Sequence, residues 1–282
     1  MRRIYIVVHN EVFPEQALKV ATQMGERFSQ EVRWLFLEEK KHLAPLPNYS
    51  SLPNDITSNL ASIAEENDAS MFLFQIADRI KAKQIQHLLN ITRELRVPYL
   101  FIKESHEVDF SHIAVSVSFL EEDKEKATFA SAFGRFCSSN ITLVTANDYG
   151  SKAQTHTNAI ATLLDKFNLA YTRQKAEKDS FGIDKEVVSK AHAQGFSMIM
   201  LSATREYGLD DLIFGPKERR LVQQSTVPIL LINPRATSTP SATNTYLYEK
   251  NNQLRTTYTS TELAIHCSHS DSYGTSSTFT IA

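Results

Sequence analysis

Two short segments occur twice in this chain, in the same order and at nearly the same separation, and that repeat limits the possible folds more than any other feature. Ala69-Ser70-Met71-Phe72-Leu73-Phe74 returns as Phe196-Ser197-Met198-Ile199-Met200-Leu201, and Val97-Pro98-Tyr99-Leu100-Phe101-Ile102 returns as Val227-Pro228-Ile229-Leu230-Leu231-Ile232. A fixed internal period marks duplicated structural units. The polar stretch Glu104 to Asp109 falls between the copies. The expected organisation is therefore a first domain over residues 1–106, a second over 107–235 and a terminal segment over 236–282. One large doubly wound sheet is the alternative.

Hydrophobic periodicity gives each copy the same alternation of elements. In the first, strands are expected at Ile4–Val8, Val32–Leu37, Met71–Phe74 and Tyr99–Ile102. Between them, apolar residues at helical spacing include Ala17, Leu18, Ala21, Met24 and Phe28, then Ile56, Leu60 and Ile63, then Ile85, Leu88, Leu89 and Leu95. The second copy has strands at Ile113–Val117, Ile141–Thr145, Met198–Leu201 and Ile229–Ile232, with an edge strand at Tyr171–Ala176. Its helices are expected at Ala127–Phe136, Ala159–Phe167, Val187–Ala193 and Arg219–Gln224. Alternating strands and helices imply an α/β fold whose parallel sheets are covered on both faces. From Arg235 onward Ser and Thr crowd the sequence and aliphatics thin out, a composition that reads as a flexible tail.

Charge and cysteine content narrow the function classes. Thirty basic and 32 acidic residues leave a net charge of -2, which offers no general attraction to nucleic acid or an anionic membrane. Apolar runs such as Ile229–Ile232 are strand-length, far below the roughly 20 residues of a membrane helix. Met1-Arg2-Arg3 precedes an apolar stretch that stops at His9-Asn10 with no small-residue cleavage site, so it reads as a first strand and not a signal peptide. Two distant cysteines, Cys137 and Cys267, exclude a disulfide scaffold and point to the cytoplasm.

In a parallel α/β sheet ligands bind beyond the carboxyl ends of strands, which directs attention to the loops after Val117 and Leu201. The second runs from Ser202 to Lys217, leads into a helix and is followed by Val227-Pro228 and an aliphatic strand. This layout resembles the universal stress protein family, closely over residues 110–234 and more distantly over 1–103. The resemblance implies two tandem Rossmann-like domains of that type, with the tail following. It also implies dimer-like contact between the last strands of the units, so that the tandem is an internal pseudo-dimer with homodimerisation left open. A stress-response or regulatory role exerted by binding a protein partner goes with it, without catalysis.

ATP-binding members carry Gly-x-x-Gly-x9-Gly-Ser/Thr in this loop, and those positions fall here on Ser202, Arg205, Gly215 and Pro216. Side chains at Ser202 and Arg205 occupy space that glycines would leave for a phosphate, and Pro216 offers neither N–H nor hydroxyl. Ser118 stands where nucleotide-binding members place an aspartate. The nucleotide site is thus expected to be degenerate. The alternative keeps ATP or a phosphorylated metabolite as ligand, with slow hydrolysis, and its candidate residues are Ser118, Ser202, Thr204, Arg205, Gly208, Gly215 and Lys217. A basic cluster of Arg205, Lys217, Arg219 and Arg220 at the helix start favours it, since cations there oppose the helix dipole unless an anion offsets them. The first copy has Arg79, Lys81 and Lys83 at the analogous place, but no glycine from Gln75 to Lys83.

Other constellations are bland. His87, His156 and His192 fall singly on helices, and His266-Cys267-Ser268-His269 lacks a second ligand pair, so no metal is assigned. Cys137 reads as a small buried thiol. No Gly-x-Ser-x-Gly elbow, His-Glu-x-x-His pair or full phosphate loop occurs.

Overall fold

A computed structural model describes residues 1–10, 12–37, 60–203 and 216–234. The tail expected over 236–282 lies outside these residues. The strands are β1 (Arg3–Val8), β2 (Glu31–Phe36), β3 (Ala69–Ile76), β4 (Tyr99–Lys103), β5 (His112–Val117), β6 (Asn140–Thr145), β7 (Tyr171–Lys175), β8 (Met198–Ser202) and β9 (Ile229–Ile232). The α-helices among the described residues are α1 (Glu15–Phe28), α2 (Leu60–Glu66), α3 (Ala82–Thr92), α4 (Lys126–Cys137), α5 (Lys152–Lys166), α6 (Ile183–Lys190) and α7 (Lys217–Gln224), and a 3-10 turn over Glu121–Glu125 precedes α4. None is long and apolar enough to cross a membrane.

All nine strands form one sheet in the order β2-β1-β3-β4-β9-β8-β5-β6-β7. Every pairing is parallel except one: β4 and β9 run antiparallel, with Leu100 opposite Leu230. Those two leucines hold the same position in the repeated Val-Pro segment, so the seam lies on a local two-fold relation between the copies. The equivalence reaches individual hydrogen bonds. Ser70 Oγ donates to the Arg3 carbonyl at 2.9 Å and Ser197 Oγ to the His112 carbonyl at 3.0 Å, each tying a repeated Ser-Met segment to the first residue of a first strand.

A third repeat emerges from the helix ends. α1 and α4 finish on Gly25-x3-Ser29 and Gly134-x3-Ser138, with both serines in the left-handed region at φ 53 and 55. A Cβ at Gly25 would come within 3.0 Å of the Gln30 carbonyl oxygen, and one at Gly134 within 2.9 Å of Leu169 Cδ1, a side-chain end that can shift. Serine is not the residue usually sought at this cap, which is why the pattern escapes a sequence search for helix stops.

The buried apolar residues divide by face of the sheet and not by copy. One cluster unites Val7, Phe72, Phe101, Ile199 and Leu231, and the other unites Ile6, Leu73, Leu100, Val115 and Leu230. Aliphatic strands buried on both faces explain this: each apolar layer continues across β4 and β9 without interruption. On one side α3 packs along α7, and on the other Phe28 of α1 meets Phe133 and Phe136 of α4 edge-on at 5.4 and 5.6 Å. Cys137 is buried beside them, where burial pushes its thiol pKa up against the opposing pull of Arg27.

The elements differ from the sequence reading in several places: α5 begins at Lys152 and not at Ala159, and α6 runs over Ile183–Lys190 and not Val187–Ala193. β3 continues to Ile76, so Gln75 is a buried strand residue and not the start of a loop. β7 is the exposed edge strand, but it ends at Lys175. Pro216 is the N-cap of α7 in an extended conformation, and the helix starts at Lys217, two residues before the expected Arg219.

Candidate functional site

The crevice beyond β5 and β8 is built from the strand ends, the 3-10 turn and the start of α7. Ser118 follows β5 and Ser202 ends β8, each 6% exposed. Both turn their hydroxyls to Asp123, a 3-10 turn residue that the sequence reading did not single out. Asp123 Oδ2 accepts from Ser118 N and Oγ at 2.5 and 2.7 Å, and its Oδ1 accepts from Ser202 Oγ at 2.6 Å. Lys126 closes the group: its Nζ lies 2.7 Å from Asp123 Oδ1 and also donates to the Ser116 carbonyl.

This pair is almost wholly enclosed, with side chains 1% and 2% exposed. Burial pushes the Asp123 carboxyl pKa up, but the Lys126 ammonium and the hydrogen bonds from Ser202 and Ser118 outweigh it and hold the group below the usual carboxylate range. Asp123 is therefore an ionised acceptor with its oxygens already engaged. The two hydroxyls proposed for a ligand point at this carboxylate.

A second chain of contacts runs outward. Ser116 Oγ donates to Asp184 Oδ1 at 2.7 Å, and Lys217 Nζ lies 3.1 Å from Asp184 Oδ2. Burial tends to lower the Lys217 pKa, but Asp184 and Glu218 more than compensate and raise it. His156 of α5 is buried with its ring between the Ser118 carbonyl at 3.1 Å and Glu121 Oε1 at 3.2 Å. The sequence placed it as a lone helical histidine; its position against Ser118 depends on where α5 crosses the sheet, which spacing does not reveal.

Of the residues named from sequence, Ser118 and Ser202 meet through Asp123, and Lys217 joins them through Asp184 and Ser116. Thr204, Arg205, Gly208 and Gly215 lie outside the described residues. In the described part, Asp123 faces Lys126, and Asp184 and Glu218 face Lys217. In the basic cluster, Lys217 pairs with Asp184 and Arg219 Nη1 donates to Gln86 at 3.3 Å. Among the described residues no group of three His, Cys, Asp or Glu side chains is arranged to hold a metal ion.

The matching crevice of the first copy, beyond β1 and β3, is also filled from within. Gln75 Oε1 accepts the Ala17 N–H of α1 at 3.1 Å, while the Gln75 carbonyl meets His9 Nε2 at 2.7 Å. An amide side chain thus occupies the first turn of α1, where backbone donors would otherwise be available to an anion.

No protein-family model matches the chain, and no curated protein matches it. Solved structures do. A universal stress protein from Archaeoglobus fulgidus DSM 4304 superposes with a TM-score of 0.61 at 11% identity, covering 83% of this chain and 97% of that one. A candidate universal stress protein from Pseudomonas aeruginosa UCBPP-PA14 gives a TM-score of 0.55 at 11% identity, with 82% and 93% covered. At that identity the likeness is one of fold: the mixed α/β, mostly parallel sheet of this chain is built like those of the universal stress proteins on which it superposes.

Proposed function

We propose that this chain is a regulatory, stress-linked binding protein of the universal stress protein kind, a tandem whose two copies form an internal pseudo-dimer and which acts on a protein partner without catalysis. Its nucleotide site is degenerate, and its place of work is the cytoplasm. The stress-linked role is taken from the names of the structural neighbours. The observation that carries the reading is the enclosed Asp123–Lys126 pair. A carboxylate fixed between the ends of β5 and β8 repels phosphate and engages both serines. Inserting a triphosphate there requires breaking a desolvated ion pair, which costs several kcal/mol.

Calorimetric titration of the full chain with ATP and Mg²⁺ at low salt tests this. Absence of heat, together with an unchanged melting temperature at millimolar ATP, is the expected result. Saturable one-to-one binding in the micromolar range refutes it.

One observation favours a second reading, in which the loop after β8 holds a nucleotide or phosphorylated metabolite. The Lys217 side chain is 46% exposed at the start of α7, where a cation has no reason to sit on dipole grounds alone. Arg205, Gly208 and Gly215 would complete that site. If ligand binding survives replacement of Arg205 and Lys217 by Ala, this second reading fails.

A further inference from the structure

A cavity of about 580 Å³ opens over the first residues of β5 and β6 and along β7, away from the crevice at the far ends of β5 and β8. Its floor is a chain of neutral side chains on one face of the sheet. Thr142 Oγ1 lies 2.8 Å from both His112 Nε2 and Thr172 Oγ1, so an imidazole and two hydroxyls tie the three strands together. Gln174, on the same face of β7, and Gln194, in the turn after α6, complete the polar lining.

The internal repeat supplies a contrast. His112 pairs with Asn140 and Ala114 with Thr142 as Arg3 pairs with Glu31 and Tyr5 with Arg33, so His112, Asn140 and Thr142 correspond to Arg3, Glu31 and Arg33. In the first copy Glu31 bridges Arg3 at 3.2 Å and Arg33 at 2.5 Å, and the charged groups satisfy one another. In the second copy the trio is uncharged, and none of the residues lining the cavity is Lys, Arg, Asp or Glu. These neutral groups do not saturate one another. Among the described residues the side-chain amides of Asn140, Gln174 and Gln194 and the Nδ1 atom of His112 have no hydrogen-bond partner.

A concavity of this volume with converging polar groups has the dimensions of a small-molecule site. Those groups set the chemistry of its ligand. A neutral imidazole, a hydroxyl and a carboxamide each donate and accept, as the vicinal hydroxyls of a sugar do, whereas an ionic ligand would meet no counter-charge. A flat heterocycle would lack a stacking surface. Phe196 is 4% exposed and meets the His112 ring edge-on at 5.0 Å, while Tyr171 packs into the apolar layer of the opposite face. We infer that this cavity binds an uncharged sugar through His112, Thr172, Gln174 and Gln194. Such a site is separate from the crevice beyond β5 and β8, so the outcome of the ATP titration does not bear on it.

Saturation-transfer NMR on the full-length chain, with glucose, galactose, mannose, maltose and trehalose as probes, tests this. At least one of these sugars is expected to give a saturable signal, and Gln174→Ala/Gln194→Ala should weaken its binding at least tenfold. The two amides have no partner to lose, so the double variant is expected to fold, and circular dichroism checks that it does. Thr172→Val, which replaces the outer hydroxyl by a methyl group, should weaken binding as well. Glucuronate and glucosamine, each carrying a charge, should bind more weakly than the neutral sugars. Absence of saturable binding by all of the neutral sugars overturns the assignment, as does binding that the double variant leaves unchanged. Preference for a charged probe overturns it too. So does adenosine that binds more tightly than every sugar and is released by the double variant, since the cavity would then take a planar base.

Discussion

Lys103 and Asn233 hold equivalent positions at the ends of β4 and β9, and each closes the last helix of the other copy. Lys103 Nζ donates to the carbonyls of Gln223 and Ser225 at the end of α7, both at 2.7 Å. Asn233 Nδ2 donates to the carbonyls of Thr92, Arg93 and Leu95 at 2.7, 3.1 and 2.9 Å, while its Oδ1 accepts from Tyr99 at 2.9 Å. The final carbonyls of a helix lack intrahelical partners, and here α3 and α7 obtain them across the seam. The copies are therefore joined by reciprocal caps as well as by the β4–β9 ladder.

Removing one cap should be costly. Asn233→Ala removes the acceptor of the Tyr99 hydroxyl and the donor to three helix-end carbonyls, for an expected loss of about 2–4 kcal/mol. Asn233→Asp should be worse than Asn233→Ala, because it sets a carboxylate among those carbonyls. Urea unfolding measures both, and equal stability of Asn233→Ala and the parent would show that the caps do not hold the seam.

Acid should weaken the same region through His106. Its Nδ1 accepts the Lys103 N–H at 3.1 Å, and burial, reinforced by the Lys103 charge, pushes its pKa to about 4 although Ser225 and Asp78 pull the other way. The folded state thus disfavours the proton that the unfolded chain takes up near 6.5. Stability from this group is complete above about pH 6.5 and is lost as the pH falls towards 4, by about 3 kcal/mol in all. His106→Asn retains an acceptor but no titrating ring, so its unfolding free energy should fall less over that window. Parallel pH profiles for the two proteins would refute this.

The repeated serines offer a test of internal equivalence. Ser70→Ala and Ser197→Ala each remove a hydroxyl bonded to the first residue of a first strand, at Arg3 and His112. Each should cost about 1 kcal/mol, and their effects should add, since the two sites share no partner. A cost confined to one serine would mean that the copies do not use the motif alike.

Legibility in the sequence followed the kind of interaction. Strands such as Tyr99–Lys103 and Ile229–Ile232 were visible because burial on both faces demands unbroken aliphatic and aromatic runs. The seam itself was approachable through the repeated Val-Pro segments, which place Leu100 and Leu230 alike. The reciprocal caps were not, because a lysine and an asparagine perform the same task and share no pattern. Asp123 was hidden for a related reason: Glu121-Glu122-Asp123-Lys124-Glu125 reads as a solvated charge run, and only the 3-10 turn rotates one of its carboxylates inward. The spacing of Asp123 and Lys126 fits one turn of helix, yet it also fits an ordinary surface pair. Ser118 and Ser202 were reached by the rule for strand ends, whereas what they bind depended on a turn that no periodicity announces.

Asp123 and Lys126 should therefore behave as a closed pair and not as independent contributors. Asp123→Ala strands an ammonium whose side chain is 1% exposed and removes the acceptor for Ser118 and Ser202, so a loss of about 3–5 kcal/mol is expected. Asp123→Asn combined with Lys126→Met leaves no buried charge and keeps an oxygen for the Ser118 N–H. It should consequently be more stable than Asp123→Ala alone, despite carrying one more substitution. Urea unfolding of the three proteins, parent included, decides the matter. If the double variant is the least stable, the pair contributes as separate contacts, and the crevice beyond β5 and β8 is held shut by something other than the neutralisation of one buried charge by the other.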